Sequence, residues 1–122
     1  MATPVQPRTS PARPLNVSSD DGFLYVRRAI YDRTRPIMET EETDSVQVPA
    51  FQGAVARLRH TVSVTKNLGN FNSARAELSL ELPCYPELSE INRVSTIIDE
   101  YLGVEVAANL TDLETRFRNG EF

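Results

Sequence analysis

A chain of 122 residues, 40% hydrophobic and 25% charged, fits one small domain with a core of its own. A formal charge of −4 means it is no general polycation, and one Cys with one His excludes an internal disulfide framework or a Cys-rich zinc site. No apolar run approaches the roughly eighteen residues of a membrane span, and MATPVQPRTSPARPLN lacks the apolar stretch of a secretory signal. The expectation is a soluble, reduced, intracellular protein with no membrane partner.

Residues 1–17 hold Pro4, Pro7, Pro11 and Pro14 and almost no large apolar side chain. Proline fixes φ and donates no hydrogen bond, so this stretch reads as a flexible, polyproline-like arm carrying Arg8 and Arg13, and residues 18–122 as a single domain. After the turn-like Ser18–Gly22, FLYVRRAIY over 23–31 is rich in β-formers and predicts a strand. Residues 32–44 read as a charged connection bearing Glu39, Glu41, Glu42 and Asp44, and Val46 with Val48 as a short edge strand ended by Pro49.

The clearest pattern is a hairpin. Ala56, Leu58, His60, Val62 and Val64 share one face of an extended segment over 54–66, and Arg57, Arg59, Thr61, Ser63 and Thr65 the other. Over 74–82, Ala74, Ala76, Leu78, Leu80 and Leu82 oppose Arg75, Glu77, Ser79 and Glu81. Each strand is apolar on one side only, as in a half-buried antiparallel sheet. A two-residue loop at Gly69-Asn70 would pair Val64 with Arg75, so the expected connection is an odd-length, Gly-bearing bulged turn, with Glu81 facing Arg57 or Arg59.

Pro83 ends that strand and Pro86 suits the first turn of a helix. Leu88, Ile91, Val94, Ile97 or Ile98, and Tyr101 or Leu102 recur at three-to-four spacing, predicting an amphipathic helix closed by Gly103 as its C′ residue. Thr111-x-x-Glu114 has the form of a capping box and predicts a second, short helix stopped near Gly120. The expected fold is α+β: an antiparallel sheet of three to four strands with one main helix on one face and a short C-terminal helix.

The run Thr61–Arg75, with Lys66, Leu68, Gly69, Asn70, Phe71 and Ser73 in the order K-x-[IL]-G-[NDY]-[FY]-x-S between two strands and before a helix, resembles a group of small, mostly uncharacterised proteins of phages and mobile elements. The resemblance covers about 61–102. It implies a hairpin followed by a helix and a phage-like origin, hence a place in the host cytoplasm or the virion; it brings no functional residues.

Few catalytic constellations are available. The acids of 39–44 lack EF-hand spacing and read as a solvated loop, so no metal or other cofactor is expected. His60 falls on the apolar face and reads as a packed, hydrogen-bonded residue. Cys84 lies at a strand-to-helix junction, where a helix N-terminus would lower its thiol pKa, but a buried filler is the plainer reading. There is no P-loop, G-x-S-x-G or G-x-G-x-x-G, and no enzyme is expected.

Charge is distributed unevenly. Residues 45–75 contain Arg57, Arg59, Lys66 and Arg75 and no acid, while 76–122 are acidic. Cations on the polar side or tip of the hairpin, with Phe71 at the tip and Arg27, Arg28, Tyr25 and Tyr31 on a neighbouring strand, match what single-stranded nucleic acid requires: charges for phosphates beside rings for bases. The expected function is therefore accessory nucleic-acid binding, with Arg57, Arg59, Lys66 and Arg75 on phosphates and Phe71 stacked on a base. The competing readings pair Arg57 and Arg59 with Glu77, Glu81 or the 39–44 acids, and make the chain a homo-oligomeric virion or assembly protein whose arm and sheet edge contact other subunits.

Overall fold

A computed structural model describes residues 21–122, which form four strands and one helix. The expected arm over 1–17 lies outside the described residues. The strands are β1 (Gly22–Asp32), β2 (Arg35–Val46), β3 (Ala56–Gly69) and β4 (Asn72–Cys84); the helix is α1 (Leu88–Asn119). All neighbours are antiparallel and the order is β2-β1-β4-β3, so the two hairpins meet through β1 and β4, and β2 and β3 are the edges.

The hairpin β3–β4 pairs like with like: Leu58 stands opposite Leu82, Val62 opposite Leu78 and Thr65 opposite Arg75. That register requires a bulge, which falls between Asn67 and Gly69. The turn residues Gly69, Asn70 and Phe71 all have positive φ (92°, 52° and 66°). Asn67 Oδ1 accepts the Gly69 N–H at 2.8 Å, fixing the bulge, as the odd-length pattern demanded.

The connection expected over 32–44 is instead strand β2. Its acids gave no apolar alternation to read. What holds it is backbone pairing to β1 and cross-strand attraction, with Arg27 Nη2 3.1 Å from Glu39 Oε2 and Arg27 Nε 3.9 Å from Glu41 Oε2. Val46 belongs to this strand; Val48 does not.

The helix also departs from expectation. It runs unbroken through Gly103 for 32 residues, about 48 Å at 1.5 Å per residue. Val94, Ile98, Leu102, Val106 and Leu113 are its buried residues. The stripe thus continues past Gly103 because the sheet offers two core clusters in line. Ala76, Leu78, Leu80 and Cys84 meet Val94 to Val106, while Ile30, Leu68 and Ala74 meet Leu113. Burial of a second length of helix outweighs the roughly 1 kcal/mol that an interior glycine costs. No second helix exists among the described residues: Thr111 and Glu114 sit inside α1, and the Glu114 carboxylate turns to Lys66 and Arg118. The chain leaves the helix at Gly120, whose φ of 71° and flanking bonds, Gly120 N–H to Phe117 O and Glu121 N–H to Arg116 O, make a Schellman end. At the other end Glu87 is the N-cap residue, so Pro86 precedes the helix rather than entering its first turn.

The helix covers the even-numbered face of β4 and β3 and the near side of β1. The odd-numbered face of β1, β3 and β4, and that of β2 from Glu39 to Ser45, carries no helix; the register shift between Ile30 and Tyr31 reverses the parity at the start of β2, where Ile37 packs on the core.

Candidate nucleic-acid interface

Alternation along each strand decides which side chains reach the uncovered face. Registers place Phe23, Tyr25, Arg27, Ala29 and Tyr31 of β1 beside Glu81, Ser79, Glu77, Arg75 and Ser73 of β4. On β3 the same face presents Arg57, Arg59, Thr61, Ser63 and Thr65; on β2 it presents Glu39, Glu41, Thr43 and Ser45. The result is a platform with aromatic rings on β1, guanidinium groups on β1, β4 and β3, and carboxylates on β2 and β4. Hydroxyls fill the middle, where Thr61 Oγ1 and Ser79 Oγ lie 2.6 Å apart.

Three of the four expected phosphate contacts, Arg57, Arg59 and Arg75, share this platform. Lys66 does not. As an even-numbered residue of β3 it points to the helix side, where Nζ bonds Glu114 Oε1 at 2.6 Å. It was expected at the polar side or tip of the hairpin, but the bulge that sets the register begins only beyond Asn67. Arg28 likewise faces the helix and bonds Asp112 Oδ2 at 2.8 Å.

The cations on the platform are engaged to different degrees. Arg57 bonds the Glu81 carboxylate and the Asp21 carbonyl and lies over the Phe23 ring, its Cζ 5.9 Å from the centroid. Arg75 is 3.6 Å from Glu77 Oε1 and 3.4 Å from Thr65 Oγ1. Arg59 is exposed and has no ion pair among the described residues. Burial raises the Tyr25 phenol above its ordinary pKa and the Glu41 carboxylate adds to it, so this ring stays neutral.

Phe71 ends the platform. It is 73% exposed at the tip of the β3–β4 turn, in the left-handed backbone region that a bulky residue rarely adopts. The β1–β2 turn lies against it: Arg33 N–H donates to Phe71 O at 2.7 Å, and the Arg33 guanidinium sits 5.0 Å over the ring. Sequence reasoning missed Arg33, because only the pairing of β1 with β4 brings residues 33 and 71 together. It also missed Phe23, which lies on the same face as Tyr25 and Tyr31 by simple alternation. From Arg57 to the turn the platform is roughly 44 Å long, at about 3.4 Å per residue.

No nucleophilic dyad forms among the described residues. His60 stands opposite Leu80 and Cys84 opposite Ala56, four strand positions or about 14 Å apart. His60 Nδ1 is 2.6 Å from Asp99 Oδ1 and Nε2 is 3.4 Å from Ser95 Oγ, which ties it to the helix at the rim of the core. Cys84 is buried, and that burial, helped by Glu90, raises its thiol pKa rather than lowering it as a helix N-terminus would. Among the described residues no three His, Cys, Asp or Glu side chains gather as a metal site, and no helix is long and apolar enough to cross a membrane.

The chain matches no family model, no curated protein and no solved structure.

Proposed function

We propose that this chain is a non-enzymatic accessory protein of a phage or mobile element that binds single-stranded nucleic acid across the open face of its sheet. The observation that carries the reading is the grouping on one uncovered face of Tyr25 and Tyr31 with Arg27, Arg59 and Arg75, ending in the solvent-facing Phe71 under Arg33. A base of any identity stacks on an exposed ring face, and guanidinium groups beside it hold the phosphates. The ion pairs on the face do not oppose this. An exposed pair such as Arg27–Glu39 contributes at most about 1 kcal/mol, so a phosphate can replace the carboxylate.

The test is fluorescence anisotropy of a labelled single-stranded oligonucleotide, with duplex as control, at low and moderate salt. Three or four phosphate contacts give a slope of log K against log salt of roughly −2 to −3. Arg59→Glu with Arg75→Glu abolishes binding, and Lys66→Ala leaves it unchanged. Equal binding of duplex, or a double variant that binds like the parent, refutes the assignment of this face.

A further inference from the structure

The sheet has two long open edges, and they differ in charge. Edge strand β2 carries Glu39, Glu41, Glu42 and Asp44 against Arg35 alone; edge strand β3 carries Arg57, Arg59 and Lys66 and no acid. Both present a row of backbone donors and acceptors that pairs readily with another strand. Two copies of β2 brought edge to edge would oppose carboxylates, and two copies of β3 would oppose guanidinium groups, so like edges repel. Only β3 against β2 brings opposite charges together.

Strand direction points the same way. In the order β2-β1-β4-β3 with every pair antiparallel, β2 and β3 run in opposite senses. A second copy in the same orientation therefore sets its β2 antiparallel to the first copy's β3, with the helices on one side and the platforms on the other. Side-chain parity adds a register. Glu41 opposite Arg59 places Thr43 beside Arg57 and Glu39 beside Thr61, odd-numbered residues meeting odd-numbered ones so that both open faces stay flush.

We propose that copies of this chain associate head to tail through these edges, β3 of one pairing with β2 of the next. Such a contact is heterologous: an open assembly of any length retains one free acidic and one free basic edge, so growth ends only by closing into a ring or continues as a filament. The proposal concerns a second copy of the chain and stands whether or not nucleic acid binds; if it does bind, the platforms join into one track.

Sedimentation velocity of the full chain without nucleic acid, over a range of concentration and salt, is the test. The expected result is a mass that grows with concentration and falls with salt. Glu41→Arg and Arg59→Glu each reduce the mass to that of the monomer. The double variant, which restores the pair with its signs exchanged, associates again, and so does an equimolar mixture of the two single variants. Circular dichroism of each single variant separates loss of association from loss of fold. A parent that stays monomeric throughout, single variants of unchanged mass, or a double variant no better than the singles overturns the proposal. A short oligonucleotide that still binds the non-associating Glu41→Arg variant separates this outcome from failure of the nucleic-acid reading.

Discussion

Gly103→Ala distinguishes a continuous helix from a helix that stops at 103, because the two arrangements give changes of opposite sign. In the structure Gly103 is a solvent-facing position inside α1, with no positive φ, and a Cβ added there meets nothing within 4 Å. Alanine then gains the helix propensity that glycine lacks, about 1 kcal/mol, with no steric term against it. Were Gly103 a C′ residue in the left-handed region, the same Cβ would cost roughly 1–2 kcal/mol. For a domain of this size a gain of about 1 kcal/mol raises Tm by roughly 4–5 °C. In urea, with a slope of about 1–2 kcal/mol/M, it raises the midpoint by roughly 0.5–1 M. Thermal and urea melts followed by circular dichroism at 222 nm read both. Gly120→Ala is the built-in control: φ there is 71°, so it destabilises by about the amount Gly103→Ala stabilises. A Gly103→Ala variant that melts below the parent refutes the continuous helix and restores the two-helix reading.

Ile98→Ala, at a fully buried position, costs about 3–4 kcal/mol in urea unfolding, whereas Ile97→Ala, 43% exposed, costs under about 1 kcal/mol; equal losses would mean the helix is rotated on the sheet. Phe71→Gly removes a strained left-handed aromatic and puts glycine directly after Asn70, the order such a turn prefers; it holds or raises the melting temperature while weakening oligonucleotide binding, and unchanged binding removes Phe71 from the interface. The stabilisation contributed by Asp112 and Glu114 is complete above about pH 5 and is lost progressively below about 4. Hydrogen bonds from Arg28 and Arg116 hold Asp112 below its ordinary pKa, and those from Lys66 and Arg118 do the same for Glu114. A carboxylate depressed in the folded state stabilises above its unfolded pKa and loses that contribution as protons bind. Asp112→Asn flattens the acid limb of a urea-midpoint-against-pH plot; an unaltered limb would show that the Arg28 and Arg116 pairs together contribute nothing.

What could be read in advance followed from patterns that a chain carries locally. The two-residue alternation of 54–66 and 74–82 was enough to set which faces of β3 and β4 match and to demand a bulged turn, but it left Glu81 facing Arg57 or Arg59; the register puts Arg59 opposite Glu81, and the ion pair is made by Arg57. The strand β2 was not legible, since Glu39–Asp44 has no apolar alternation and only Thr40 and Thr43 as β-formers, and its conformation is imposed by β1. The false helix end at Gly103 arose because a glycine after an apolar stripe is a sound stop signal unless tertiary burial resumes beyond it. Here Val106 and Leu113 resume it. For the candidate site, parity placed Arg57, Arg59 and Arg75 on one side, whereas the same parity applied to Lys66 would have put it on the other. The proximity of Arg33 to Phe71 was beyond any local signal, because it depends on strands distant in the chain becoming neighbours.

That central pairing of β1 with β4 also governs when the protein can exist. Phe23 stands opposite Glu81, and Ile30 opposite Ala74, so the first strand completes its hydrogen bonds only with the last. On a translating ribosome, β1 and β2 emerge as a hairpin whose Leu24, Val26 and Ile30 have nothing to pack on until β4 and the helix follow. Sequence-distant contacts of this kind slow folding and leave apolar strand exposed meanwhile. The acidic β2 is already alongside at that stage, and two such hairpins meeting by that edge would oppose carboxylate to carboxylate.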